Sequence, residues 1–554
     1  MSWQLMLNLH PLLFRQFLLE MRCYLGLLAL SALAISDGFR LPTSRSFAPL
    51  QSTPKDDLSD PSASESLSNY RASLPLTRSD SSIEQKRTVM KFGGSSLADA
   101  SRIDHVAQLI KSQIGLGNRP AAVVCSAMGK TTNNLLNAGD FALEGRVNVD
   151  ALRTLHLATI DEFELGEHLR TEINSLLDEL ENMLSGVKLL QELSPRSLDM
   201  LVSFGERMSI RIMAARLNQI GVPAEAYDSW NIGMLTDSNF GDATVLPSAP
   251  ETIRKIFADK IDPNTVAIVT GFIAHDPNGK ITTLGRGGSD LTATTIGAAC
   301  ELDEIQVWKD VDGIMSCDPR MVPEAVPISS VSFEEASELA YFGAKVLHPI
   351  AMMPAMRKRI PVRVKNSYNP EHPGTVIKNR EEGRLVTAIT CKRDVQLIDI
   401  SSTRMLGAYG FLSTVFTAFE KNKLSVDVLA SSEVSVSLTL DKKHSVYSGH
   451  SLCDDLREVA DVKVKNNKAI ITLIADVTRS SEVLATVFQV FMRQGIEVEM
   501  LSQGASKVNI SFIVKDDEVV DAITFLHACF FEDNCLIEMP CPSPEEEYAR
   551  DFQP

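Results

Sequence analysis

The last third of the chain repeats one pattern. The segment from Leu424 to Leu440, LSVDVLASSEVSVSLTL, is echoed from Ile496 to Val514 by IEVEMLSQGASKVNISFIV, with two extra residues in the second turn. Each copy alternates apolar and polar side chains, which predicts a pair of half-buried strands. A helical stretch precedes each pair, GFLSTVFTAFEKN in one and SSEVLATVFQVFMRQ in the other, and an apolar strand precedes each helix, VQLIDISS and KAIITLIAD. Strand, helix, strand, strand is the opening of a βαββαβ unit, so the C-terminal third is restricted to two ferredoxin-like modules. Such repeats can also pair chains with one another.

At 554 residues the chain exceeds one ordinary core, and a typical domain size predicts about three or four domains. From residue 88 short β-rich runs alternate with helical stretches: TVMKF, a helix over 97–115, AAVVCS, a mostly helical region to about 215, then TVAIVTGFIA (265–274) and EIQVWKD (304–310). Strands alternating with helices imply a mainly parallel sheet covered on both faces, a three-layer αβα body spanning 86–390. The repeat units then fall at 391–465 and 466–554.

The N-terminus reads as targeting sequence. Residues 24–35, YLGLLALSALAI, are too short an apolar run to span a bilayer comfortably and end in Ala32-Leu33-Ala34, a cleavage-like site. Met21-Arg22 supplies the positive flank, which places a signal peptide at 1–35 with Met21 as a candidate start. Residues 36–85 are rich in Ser, Pro, Thr and Arg and predict a disordered segment. A signal peptide followed by SDGFRLPTSRSFAPL resembles the two-part leaders of plastids bounded by extra membranes; secretion and a cytoplasmic location are the alternatives. Nine scattered cysteines without a CxxC pair argue against a disulfide framework or a zinc site. A net charge of -17 excludes broad electrostatic binding to nucleic acid or anionic membrane.

Two glycine-rich elements carry the chemistry. In VMKFGGSSL (89–97) a Gly-Gly-Ser-Ser turn behind a strand exposes successive backbone N–H groups, a nest suited to a polyphosphate, with Lys91 beside it. A Walker loop is excluded at MGKTT, because the glycine it needs five residues before Gly129 is Val124. GLGNRP (115–120) follows a helix and ends in Pro120, so it is no dinucleotide fingerprint. In TTLGRGGSD (282–290) an arginine, glycines, a serine and an aspartate stand directly before a small-residue helix. A guanidinium grips a carboxylate with two parallel bonds, and Asp290 can orient lysines or help place Mg²⁺. Two such loops predict two anions facing each other, a nucleotide and an acidic substrate.

KFGGSS (91–96), SFGERMS (203–209), TTLGRGGSD, WKDVDGIMSCDPR (308–320) and FGAKVLHP (342–349) occur in the order found in aspartate kinases, and the chain resembles that family from about residue 88 onward. The closest likeness is to the monofunctional, lysine-sensitive plant and bacterial type, and the C-terminal units resemble ACT domains. The resemblance implies an amino-acid-kinase-like catalytic domain that transfers the γ-phosphoryl of ATP, with Mg²⁺, to the β-carboxylate of L-aspartate. The acceptor is already ionised, so catalysis reduces to positioning and charge neutralisation. Lys91, Asp290 and Lys345 would be catalytic, and Glu206 would hold the substrate α-ammonium and Arg286 its α-carboxylate, with Thr132, Phe272 and Ser289 completing the substrate site. Lys91, Gly93, Gly94, Ser95, Ser126, Lys309, Asp310, Met315, Arg320 and Lys345 would contact ATP.

The same resemblance implies an allosteric lysine site of Met405, Gly410, Phe411, Leu412, Val426, Asp427, Ser432 and Glu433. Asp427 and Glu433 suit ammonium groups and the N–H groups after Gly410 suit a carboxylate; Val426 and Leu412 read as core residues lining the pocket. In the family the second ACT unit is inserted within the first, so a late strand around CLIEMP (535–540) would return to the first sheet. A homodimer or larger assembly follows from the ACT units. Kinases of the same superfamily acting on glutamate, N-acetylglutamate or UMP are the nearest enzymatic rivals, and Glu206 facing a free α-ammonium has no purpose for an N-acetylated substrate or a nucleotide. A catalytically dead sensor would not need Lys91, Glu206, Arg286, Asp290 and Lys345.

Overall fold

The computed structural model describes residues 87–344, 347–379, 384–401, 410–432, 434–441, 449–457, 459–504 and 506–532. In β1 (Thr88–Phe92) the alternation of TVMKF sends Met90 and Phe92 into one apolar cluster and Val89 into another on the opposite face. The same rule sorts β2 (Pro120–Cys125), where Val123 and Cys125 face one cluster and Ala122 and Val124 the other. Next come β3 (Ala224–Tyr227), β4 (Val266–Thr270), the hairpin β5 (Ile273–His275) and β6 (Ile281–Thr283), β7 (Glu304–Lys309), β8 (Ser330–Ser332), β9 (Val362–Asn366) and β10 (Thr375–Lys378).

The main sheet has the order β3-β4-β2-β1-β7-β9-β10-β8. Every neighbour from β3 to β9 is parallel, and β10 is antiparallel to β9. Helices cover both faces, giving the expected three-layer αβα body. Parallel strands put their carboxyl ends on one edge, where sheets of this class bind ligands. The helical region resolves into helices Thr131–Leu143, Asp150–Glu162, Glu167–Leu190 and Pro195–Gln219.

Two expectations need correction. The helix predicted over 97–115 begins at Ala100, because Asp99 caps it by accepting from the Arg102 amide at 3.0 Å, and residues Gly94–Leu97 form a separate 3-10 turn. The run TVAIVTGFIA is two strands in two sheets, broken where Phe272 takes the left-handed φ of +70°.

The C-terminal units share one antiparallel sheet, built from β11 (Val386–Ser401), β12 (Leu429–Ser431), β13 (Ser435–Asp441), β14 (Asp461–Ala475), β15 (Met500–Gln503) and β16 (Asn509–Lys515) in the order β12-β13-β11-β14-β16-β15. Strands β11 and β14 are long enough to serve both units. Residues 395–401 of β11 pair with β13 and with the start of β14, closing a contiguous first unit. Residues 386–392 pair with 470–475, on the edge of the second unit. A boundary at 390/391 therefore cuts a continuous strand, and the expected split is corrected: the second unit takes its edge from sequence ahead of the first. Sequence periodicity marked only the VQLIDISS half as a strand, and it does not say which partner each half takes. The late strand expected at 535–540 lies outside the described residues.

The C-terminal sheet and the αβα body share packing. Cys317 and Val322 lie in the core of the second unit, and Phe342 packs among Val395, Leu397, Val428, Ile470, Met500 and Ile513. Cys125, Cys300, Cys317, Cys391 and Cys453 are free thiols, whereas Cys529 is disulfide-bonded, a bond that spacing did not announce. No helix among the described residues is long and apolar enough to cross a membrane.

Candidate active site

Alternation along β1 puts Lys91 on the Val89 face, under the helix Gly288–Ala299, where its Nζ lies 2.8 Å from Asp290 Oδ1 with both side chains 12% exposed. Lys309 ends the neighbouring β7. Burial holds its amine below the ordinary lysine value, Lys91 adds repulsion, and Asp290 and Asp310 oppose both. Two ammonium groups thus surround one buried carboxylate at the carboxyl edge of the sheet, a field that favours an incoming polyanion.

The glycine loop packs on the loop after β2. Gly129 N–H donates to the Gly94 carbonyl at 3.0 Å, and a Cβ on Gly94 would lie 2.8 Å from the Ala127 carbonyl oxygen, so only glycine fits. Ser96 N–H closes the turn on the Gly93 carbonyl, and Ser95, exposed, gives its carbonyl to Arg102. Ser126 Oγ donates to Ser289 Oγ at 3.0 Å, which ties the loop after β2 to the TTLGRGGSD loop. The two glycine-rich elements therefore meet.

The helix Pro195–Gln219 brings Glu206 to the same place, since Gly205 lets it approach until a Cβ would stand 2.8 Å from that of Ala127. The Ala127 amide donates to Glu206 Oε1 at 3.2 Å, while Oε2 is buried without a partner. Burial pushes the carboxyl up to about 8, partly offset by the amide bond. A desolvated carboxylate with one open oxygen waits for a cation. Thr132 stands in the first turn of the helix beginning at Thr131, half-buried. Phe272 lays its ring against Gly288, and its amide donates to Thr292 Oγ1. Arg286 is exposed, and its guanidinium makes no ion pair among the described residues.

Of the residues expected on the nucleotide side, Asp310 is exposed and Met315 makes an isolated β-bridge with Pro327. Arg320, expected beside phosphate, is exposed and held by Asp318 at 2.6 Å within its own loop. The segment is anchored by the regulatory unit: Ser316 Oγ lies 2.9 Å from Nε2 of buried His527, and the Ile389 amide donates to the Ser316 carbonyl at 2.7 Å. Lys345 lies outside the described residues.

Of the expected effector residues, Met405 and Glu433 also lie outside the described residues. Gly410 takes φ +89° at the cap of the helix Phe411–Lys421, Phe411 and Val426 pack on the first unit's core, and Ser432 turns back to Ser435. Leu412 is corrected from core to surface at 42% exposed, in the first turn of the helix Phe411–Lys421. Asp427 already has partners, Lys392 at 2.7 Å and the Tyr341 hydroxyl at 3.1 Å. Neither residue lies in a quoted motif, and the fold that brings the Lys392 side chain to Asp427 is invisible in sequence. Asp199, two turns before Glu206 on one helix, lies in none of the quoted motifs, although a second acid at the i−7 position on the Glu206 face was a readable signal.

Residues 86–366 match the Amino acid kinase family and residues 472–530 match an ACT domain. The chain is 48% identical over 484 residues to aspartokinase 3, chloroplastic, of Arabidopsis thaliana, covering 83% of this chain and 85% of that protein. It resembles the crystal structure of Escherichia coli aspartokinase III in complex with lysine and aspartate in the T-state, at TM-score 0.68 and 33% identity, covering 80% of this chain and 99% of that one. The R-state of that enzyme with aspartate and ADP matches at TM-score 0.66 and 33% identity, over 81% and 100% of the two chains.

Proposed function

The chain belongs to the aspartokinase family and is an aspartate kinase, and from that premise we propose how its own residues carry the reaction. A β-carboxylate oxygen of L-aspartate attacks the γ-phosphorus of ATP, the bond to the β,γ-bridging oxygen breaks, and 4-phospho-L-aspartate and ADP leave. Glu206 Oε2 takes the substrate α-ammonium and Arg286 the α-carboxylate, leaving the β-carboxylate to point toward Lys91. The observation that carries this is the buried, half-partnered Glu206 carboxyl, which suits a cation that arrives with the substrate.

Lys91 and Lys309 neutralise the phosphoryl oxygens as charge develops, and Lys345 is assigned the same task by its motif. The amides after Gly93 and Gly94, with Ser95 and Ser126, line the phosphate side, and Asp310, Met315 and Arg320 the nucleoside side. Asp290 keeps Lys91 oriented while the site waits. Mg²⁺ fits this set as a nucleotide-borne ion, because no cluster of three metal-ligating side chains exists among the described residues and Asp290 offers the single carboxylate such an ion uses beside phosphates. When bound it supplies charge neutralisation.

Lysine is the proposed effector at the first ACT unit, where its ammonium competes with Lys392 and Tyr341 for Asp427. Homodimers through the ACT units and a plastid location are supported by the repeat and by the leader, with the chloroplastic relative beside it. Trapping acyl phosphate as aspartyl hydroxamate, with and without lysine, tests the reading. Product that needs both aspartate and ATP and falls when lysine is added supports it, and no hydroxamate under any condition sinks it.

A further inference from the structure

Asp199 is 2% exposed on the helix Pro195–Gln219, two turns before Glu206 and on the same face. Its carboxylate is fully engaged. Oδ1 accepts from Thr283 Oγ1 at 2.8 Å, and Oδ2 accepts from the Thr283 amide at 3.0 Å and from the Gly241 amide at 2.9 Å. Thr283 ends β6 and leads through Leu284 and Gly285 directly to Arg286. The Ala243 amide donates to the Thr283 carbonyl at 2.8 Å, so both backbone polar groups of Thr283 are held.

We propose that Asp199 is the positioning residue of the amino-acid subsite, fixing the separation between the helix that carries Glu206 and the loop that carries Arg286. The inference rests on assigning those two residues to the α-ammonium and α-carboxylate. An α-amino acid presents these groups at one rigid spacing, and recognition needs both receptors placed to a fraction of an ångström. The chain reaches Glu206 from a helix and Arg286 from a hairpin, two elements far apart in sequence. Asp199 bonds them side chain to backbone. A ligand such as succinate, which lacks the ammonium, does not use that spacing, and ATP is assigned to the glycine loop after β1, which Asp199 does not touch.

Steady-state kinetics of the full chain with Asp199→Asn test the assignment. An asparagine keeps the shape but turns an N–H toward donors. Its KM for aspartate is expected to rise about tenfold, with KM for ATP and the inhibition constant of succinate each changed less than about twofold, the size expected for losing a buried charge-assisted bond. Thr283→Val removes only the Oγ1 bond and serves if Asp199→Asn does not fold; it is expected to show the same split at about threefold. Asp199→Glu restores the acceptors and is expected to recover part of the aspartate KM. Parallel rises in both substrate constants, an equal weakening of succinate, or a fall in kcat alone would overturn the proposal. A wild-type chain that makes no acyl phosphate overturns the aspartate-kinase reading instead, so the two failures are distinguishable.

Discussion

Glu206→Gln combined with a change of pH isolates the substrate-ammonium contact. The free carboxyl is pushed up to about 8 by burial, so at pH 7 about one tenth of it is ionised and at pH 8 about half. Binding an ammonium requires the ionised form, which costs about 1.4 kcal/mol at pH 7. The sign follows from the raised value: the protonated share grows as pH falls through 8, so aspartate binding weakens in that direction. KM for aspartate in the wild type is expected to drop about fivefold between pH 7 and pH 8, while KM for ATP stays level. In Glu206→Gln the amide cannot ionise, and Arg286 stays charged throughout. The variant should therefore lose the pH dependence and bind aspartate more weakly, by a charge-assisted hydrogen bond of about 1.5–3 kcal/mol at pH 8 and by about fivefold less at pH 7. An ADP-coupled assay over both pH values reads each constant. A wild-type aspartate KM that is flat across this range, or a Glu206→Gln chain that keeps the wild-type slope, refutes the assignment of the ionisation to Glu206.

Lys91→Ala removes the 2.8 Å partner of a buried Asp290, so it should abolish activity and also lower stability by about 3–5 kcal/mol. The double variant with Asp290→Asn should recover the thermal midpoint but no activity, which separates the two roles. His527→Ala breaks the 2.9 Å contact that anchors Ser316 and should raise KM for ATP more than KM for aspartate, measured by initial rates. Lys392→Met frees the Asp427 carboxylate from its 2.7 Å internal partner, and half-inhibition should then need about fivefold less added lysine, a shift of about 1 kcal/mol in competition. Unchanged lysine titration in Lys392→Met would remove Asp427 from the effector site.

The architecture followed from periodicity because periodicity is local. A strand that alternates sorts Met90 from Val89 without help from the rest of the chain, and a repeated strand–helix–strand–strand run allows few alternatives. The first glycine loop was legible for a similar reason, since Gly94 marks a place where backbone must come close. Charge type at Lys91, Glu206, Arg286 and Asp290 announced anions and an ammonium. The partners of those charges depend on residues far apart in sequence, and no local rule reaches them: Lys91 meets Asp290 of the helix packed on its face of the sheet, and Glu206 meets the Ala127 amide through a helix approach. The long strand β11 shows the same division, for the sequence marked only VQLIDISS as extended, whereas the fold carries the strand over sixteen residues and register assigns its two halves to different units. Residue types and their spacing thus settled the class of fold and the kind of ligand. Pairing across the folded chain settled that Asp427 faces Lys392 and that Asp199 holds Thr283, because a hydrogen bond is specified by position in space and the chain order does not carry that coordinate.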